Sequence, residues 1–178
     1  MVATVIINEK NGGGEANTDK TSSTIRFKNA DDAAIDTADR LIIPTTLQEY
    51  SFRKVARLEI TAAPDVDIAN IQAYSDGIGS FGEPSPGVKV WYAVTGTYTT
   101  PAVPTESNDP PQFPGATPML DFFAKTSGTP IDMDAVNTGP FTTTAEIADF
   151  LNLVMEVETT AVQGQLAPET LTFSFDET

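Results

Sequence analysis

Side-chain polarity alternates with a period of two through most of this chain, and that pattern leaves little room for helices. In Val55–Thr61, Ala56, Leu58 and Ile60 fall on one side, with Arg57 and Glu59 on the other. Val88–Val94 repeats it, with Val88, Val90, Tyr92 and Val94 set against Lys89, Trp91 and Ala93. In Phe150–Glu158, Leu151, Leu153, Met155 and Val157 turn one way, and near the C-terminus Leu171, Phe173 and Phe175 alternate with Thr170, Thr172 and Ser174. Successive strand side chains point to opposite faces, so each segment reads as a strand with one buried face. Thr4–Asn8, Thr24–Lys28, Leu41-Ile42-Ile43 (stopped by Pro44), Ile68–Tyr74 and Leu120–Lys125 read as further strands. Thr143-Thr-Ala-Glu146 fits a capping box for a single helical turn. The acidic, Ala-rich Asn29–Asp39 reads equally as a short helix or a loop. Ala148-Asp149-Phe150 is similar to the corner that β-sandwiches build on tyrosine, with a ring that lacks the hydroxyl. The expected fold is all-β: an antiparallel β-sandwich, immunoglobulin-like or jelly-roll-like, with long loops.

A chain of 178 residues is expected to form one domain. Asn11–Lys20 carries Gly12-Gly13-Gly14 and reads as a flexible link, so residues 1–23 are a strand or arm with its tether, and 24–178 the sandwich. Val2–Ile7 is either an arm that adds a strand to a neighbour's sheet or the first strand of its own. Asp76–Gly87, with four glycines and two prolines, reads as a long loop. Thr100–Pro118, with six prolines, reads as an extended excursion. The N-terminus has no basic segment leading a long apolar core, so it is not expected to be a signal peptide. No apolar run approaches the roughly 20 residues that span a bilayer, so no membrane partner is expected.

The chain has no histidine and no cysteine. The usual general base, thiol nucleophile and best zinc ligands are therefore missing, and disulfide staples are excluded. Ten Lys and Arg face 25 Asp and Glu, for a net charge of −15. Through Ile60 the balance is 8 basic to 9 acidic; after it, 2 to 16. Such a chain repels a phosphate backbone, so no nucleic-acid partner is expected. Arg53, Lys54 and Arg57 form the basic cluster, read either as a solvated strand edge or as a docking patch for an acidic partner. Trp91, the single tryptophan, is expected on the outer face as an interface anchor, or in the core if the register is shifted by one. Asp65-Val-Asp67 and Asp132-Met-Asp134 each pair two carboxylates as a Ca²⁺ site would, yet neither fits the Ca²⁺-loop pattern, and a solvated acidic turn explains them as well. A glycosidase needs two carboxyls across a cleft with aromatic platforms; Trp91, Tyr92 and Tyr98 supply rings, but nothing singles out the acids. Gly77-Ile-Gly-Ser-Phe-Gly82 has the letters of a dinucleotide loop but leads into Pro-rich sequence rather than a helix. The expectation is a protein that is not an enzyme and holds no cofactor or metal.

Several phrases carry a family likeness: Leu41-Ile-Ile-Pro44, Tyr50-Ser-Phe52, Ala56-Arg-Leu-Glu-Ile-Thr-Ala-Ala-Pro64, Ile68-Ala-Asn-Ile-Gln-Ala-Tyr-Ser-Asp-Gly77, Gly87-Val-Lys-Val-Trp-Tyr92, Thr97-Tyr-Thr-Thr-Pro101, Gly139-Pro-Phe-Thr142 and Glu169-Thr-Leu-Thr-Phe173. From about Leu41 onward the chain resembles small structural proteins of tailed bacteriophage particles. The likeness lies in strand and turn phrases, and no catalytic residues come with it. It implies a virion component, assembled in host cytoplasm: a homo-oligomeric capsid decoration protein bound to the major capsid protein, or a neck, collar or tail component. The contacts are expected from Val2, Val5, Ile6 and Ile7 of the arm, from Arg53, Lys54 and Arg57, from Trp91, and from Phe113 in the Pro-rich excursion. A carbohydrate- or Ca²⁺-dependent binding module is the alternative from another class, and a hydrolase a third.

Overall fold

The computed structural model describes residues 2–82, 87–105, 107–113, 117–164 and 166–178. Among these the chain forms strands and no helix: β1 (Thr4–Asn11), β2 (Ala16–Asp19), β3 (Gln48–Tyr50), β4 (Lys54–Ala62), β5 (Ile68–Tyr74), β6 (Val88–Thr95), β7 (Gln112–Phe113), β8 (Thr117–Pro118), β9 (Leu120–Asp121), β10 (Ile131–Asp132), β11 (Glu146–Glu158) and β12 (Thr172–Glu177). The strand pairings among the described residues are antiparallel: a large sheet runs β2-β1-β4-β11-β6-β9, with β3 also on β11, and a small sheet runs β10-β5-β12. β7 and β8 pair as a short ribbon.

β11 is the spine of the large sheet. Its 13 residues are apolar on both faces over most of their length, the pattern of a strand covered on both sides. β6 lies along one edge of it, and β4 followed by β3 lies along the other. Between β3 and β4 the line is broken at Ser51, whose N–H donates to the Met155 carbonyl (2.9 Å) while its Oγ accepts the Met155 N–H (3.0 Å). Directly opposed residues in a sheet share a face, so Val5–Ile60, Ile7–Leu58 and Glu9–Ala56 look one way, together with Lys54, Leu153 and Tyr92. This is the inner face. Ala56, Leu58, Ile60, Leu151 and Leu153 from it form one core with Ile68, Ile71, Ala73 and Ile131 of the small sheet. Full burial of each Leu or Ile is worth about 1.5–3 kcal/mol.

The period-two segments Val55–Thr61, Ile68–Tyr74, Val88–Val94 and Phe150–Glu158 all lie within strands and turn the predicted sides inward, with Val88, Val94 and Met155 only half-buried. Other expectations require correction. Val5, Ile6 and Ile7 are not in a free arm: β1 is bonded on both sides, to β2 and to β4 of its own sheet. The Gly12-Gly13-Gly14 stretch is not a slack tether but a hairpin turn, with Gly12 at φ 67° and the Glu15 N–H donating to its carbonyl (3.2 Å). Strands β1 and β2 therefore belong to the large sheet, together with β4 and β11. Thr24–Lys28 and Leu41–Ile43 form no strand. The former lies over the core with Ile25 and Phe27 half-buried, and in the latter Ile42 is exposed. Leu120–Lys125 contributes only two strand residues.

The helical turn at Thr143–Glu146 does not form. Glu146 instead opens β11, and its carboxylate meets Lys10 and Arg57 across the sheet rather than reaching back to a cap. Ala148-Asp149-Phe150 is a bulge inside β11, where the register shifts between Ile147 and Leu151 and Ala148 takes φ 64°. The buried Asp149 carboxylate accepts the N–H groups of Val136 (3.0 Å) and Asn137 (2.8 Å), tying the 133–137 turn to that bulge. Within Asp76–Gly87 and Thr100–Pro118, residues 83–86, 106 and 114–116 lie outside the described residues.

Candidate functional site: the two covered ends of the large sheet

Arg53, Lys54 and Arg57 are neighbours in sequence but do not form one patch. Strand alternation sends Lys54 to the inner face, and Arg53 and Arg57 to the outer one. Lys54 is fully buried and pairs with the equally buried Glu9 (3.2 Å). It also donates to the carbonyls of Asp32 (2.6 Å) and Ala30 (3.4 Å). Arg57 is held by Glu146 (3.0 Å) and lies over the ring of Phe150, 4.1 Å from its centroid. Lys10 shares Glu146, and together with the Asn17 amide these partners hold that carboxyl below its usual range against the opposing effect of burial.

Around Lys54 the chain builds a buried ionic layer. Lys20 donates to the Ala33 carbonyl (2.7 Å) and lies 3.5 Å from Glu9 Oε2, an ion-pair contact without hydrogen-bond geometry. Lys28 bonds Asp32 and Asp36, each at 3.0 Å. Burial pulls the Lys28 pKa down, but these two carboxylates outweigh it and leave the value raised. Asp32 is lowered because its bonds to Lys28 and the Ala34 N–H overcome burial; Asp36 is lowered first by Lys28, then by the Ala38 N–H. The Asp31 carboxylate takes the Asn11 amide (3.0 Å) and the Gly12 N–H (2.9 Å). The acidic 29–39 segment is thus a strap, tied by basic and amide side chains over one end of the sheet. Its signal in the sequence is the run of four acids Asp31, Asp32, Asp36 and Asp39, of which Asp32 and Asp36 pair with Lys28; none sits on a recognisable motif.

The outer face carries the aromatic candidates. Trp91 lies opposite the core side of β6, as expected of an outward residue, but it is half-buried. It packs against Tyr50, Met119 and Val154, and its indole N–H donates to the buried Glu156 (2.6 Å). Phe113, also half-buried, joins the same cluster from the Pro-rich excursion and covers Arg53, its ring centroid 4.7 Å from the guanidinium carbon. The Tyr50 hydroxyl donates to the Asn108 carbonyl, and burial pushes its pKa up to about 12. The excursion therefore lies on its own sheet. Of the arm residues, Val2 is 79% exposed, whereas Val5 and Ile7 pack on the core and Ile6 is half-buried.

The acid pairs separate in character. Asp67 accepts the Phe141 N–H (2.6 Å), tying the segment at Phe141 to the start of β5. Asp132 Oδ1 accepts the Asp134 N–H (3.2 Å), and burial followed by the Asp132 carboxylate raises the Asp134 pKa. No group of three or more acids that can hold a metal ion occurs among the described residues. One concavity, of about 270 Å³, lies beside Arg53 on the outer face, and another, of about 310 Å³, lies between residues 20–27 and 168–171, floored by Val90 and Leu153. No helix among the described residues is long and apolar enough to cross a membrane. No protein-family model matches the chain, and no curated protein or solved structure matches it.

Proposed function

We propose that this chain is a non-enzymatic structural protein of a tailed-bacteriophage particle, acting as a homo-oligomeric capsid decoration protein against the major capsid protein. The observation that carries this reading is where the family-like phrases fall. Ala56–Pro64 covers most of β4, Ile68–Gly77 covers β5, Gly87–Tyr92 opens β6 and Glu169–Phe173 enters β12. The resemblance thus follows the framework of both sheets. Two sheets sharing one core support a β-sandwich, of the immunoglobulin-like or jelly-roll kind.

Charge placement supports the same role. Among the described residues, five of the ten bases, Lys10, Lys20, Lys28, Arg53 and Lys54, are buried, against three acids, Glu9, Asp149 and Glu156. The solvent-facing surface is therefore more acidic than the composition alone implies. Such a surface keeps densely arrayed copies dispersed and away from an encapsidated genome. Repetition over a symmetric shell then turns modest contacts into firm attachment. Exposed Val2 and Val103 are the apolar side chains placed to touch a neighbour from the N-terminus and the excursion.

Deleting the gene tests this. A decoration protein leaves heads that assemble but break at lower temperature, and purified protein added back restores their resistance. Heads of unchanged stability that lack finished tails place the protein at the neck instead. Particles unchanged in every respect overturn the virion role.

A further inference from the structure

Lys10 of β1 and Asn17 of β2 are direct partners across the hairpin, so their side chains rise from the same face of the sheet. The Lys10 Nζ donates to Asn17 Oδ1 (3.0 Å). Both groups also meet one carboxylate oxygen: Glu146 Oε1 accepts from Lys10 Nζ (2.5 Å) and from Asn17 Nδ2 (2.7 Å). Amine, carboxamide and carboxylate thus close a three-way contact built by β1, β2 and β11. A C=O bond is about 1.2 Å long, so Lys10 Nζ stands no more than about 4.2 Å from Asn17 Cγ.

Two features set this lysine apart. First, the other buried lysines meet carboxylates and backbone carbonyls: Lys20 meets Glu9 and Ala33, Lys28 meets Asp32 and Asp36, and Lys54 meets Glu9, Ala30 and Asp32. Lys10 meets a side-chain amide, the one acceptor among these whose carbon an amine can acylate itself on. Second, the contact is walled on one side and open on the other. The Lys10 side chain is 2% exposed, and its Nζ lies 5.9 Å from the centroid of the Phe150 ring. Tyr98 packs on that ring and donates its hydroxyl to the Gly12 carbonyl (2.7 Å), which ties the aromatic wall to the hairpin turn. Asn17 lies on the exposed edge strand, so a group released from its side chain escapes to water. A nucleophile and an electrophile held in contact react as if at very high concentration.

We infer that Lys10 and Asn17 join in an intramolecular isopeptide bond, with Glu146 as the group that moves the proton. Glu146 Oε1 takes a proton from the Lys10 ammonium, and the freed Nζ lone pair attacks Asn17 Cγ. The tetrahedral carbon then loses Nδ2, which accepts the proton from Glu146 and leaves as ammonia; the ammonia carries off the proton still on Nζ. The balance is one ammonium and one primary amide giving one secondary amide and one ammonium ion, with the carboxylate regenerated. Burial pushes the Glu146 carboxyl up, but its bonds to Lys10 and Asn17 and the charge of Arg57 outweigh this and keep it ionised, the form the first step needs. The same pairing makes it a weak base, so the bond forms slowly and faster as pH rises toward the lysine range. The product fastens the edge strand β2 to β1, which closes that edge to slippage and strand exchange. This site does not depend on the virion role.

Mass spectrometry of the full chain, before and after incubation of the folded protein at about pH 9, tests this. The wild-type protein is expected to be lighter than its sequence by one ammonia, about 17 Da, or to become so during the incubation. Trypsin should then skip Lys10 and release a peptide that runs through it to Lys20, lighter by the same ammonia and fragmenting as a closed ring from Lys10 to Asn17. Lys10→Arg keeps the positive charge beside Glu146 but cannot form the bond, and should keep its full mass. Glu146→Gln should keep its full mass too; it also loses ion pairs to Lys10 and Arg57, so the wild-type peptide map decides the matter if that variant does not fold. A cyclic imide at Asn17 also loses ammonia, but it would survive in Lys10→Arg and leave Lys10 cleavable. Wild-type protein that retains its full mass after incubation, complete cleavage at Lys10, or an ammonia loss that persists in Lys10→Arg or in folded Glu146→Gln overturns the proposal.

Discussion

Lys54 and Glu9 meet 3.2 Å apart with neither side chain exposed to water. A buried ion pair is weak in net stabilisation, yet removing one member strands the other in a poor solvent. Lys54→Met is therefore expected to lower unfolding free energy by about 3–5 kcal/mol, and the double change Lys54→Met with Glu9→Leu to recover much of that loss. Urea denaturation of the two variants checks this; equal losses would show that the pair is not the cause. Asp134 presents the opposite case. Its raised pKa means that the folded state opposes ionisation, so its contribution is full below the ordinary carboxylate range and is lost as pH rises through the folded value. Asp134→Asn is expected to raise the melting temperature slightly at neutral pH, with the gain vanishing on acidification. The amide oxygen can still accept the Ile71 N–H, which lies at 3.4 Å.

Among the elements, the 29–39 strap depends most directly on charge. Asp32 and Asp36 are depressed, so their contribution is present above about pH 4 and is lost as pH falls through the folded values. Lys28 is raised, so its contribution is full below about pH 10 and is lost above that. Amide exchange across residues 29–39 should thus be slow between those limits and rise at about pH 2 before the core strands open. Uniform opening of strap and core would contradict this. β1 offers a second test. It is bonded on both edges and carries Glu9 to Lys54 and Lys20, so removing residues 1–11 should abolish cooperative unfolding. A dispensable arm would leave the transition intact.

β4, β5, β6 and β11 were legible because each buries alternate apolar residues, a signal local to the segment. Thr24–Lys28 shows the same alternation yet makes no strand, because a ladder partner is a tertiary property that alternation cannot report. Arg53, Lys54 and Arg57 looked like a surface cluster because basic residues are rarely buried unpaired. Their true positions depend on Glu9 and Glu146, dozens of residues away. The corner at Asp149 was visible only as an odd triplet. Its role depends on the Val136 and Asn137 amides, which the fold brings to it.

At the scale of the molecule, the two sheets, the ionic strap and the Pro-rich excursion leave a closed, acidic body whose basic side chains are half buried inside it. That is a surface suited to standing in an array, as the proposed role requires. The central claim is tested most directly by quantitative protein composition of purified particles, scaled to the major capsid protein. The account predicts a ratio near one copy per capsid subunit, or a fixed large fraction of it. A ratio small enough for a single ring of subunits would move the protein to the neck or tail, and its absence from the particle would contradict the account.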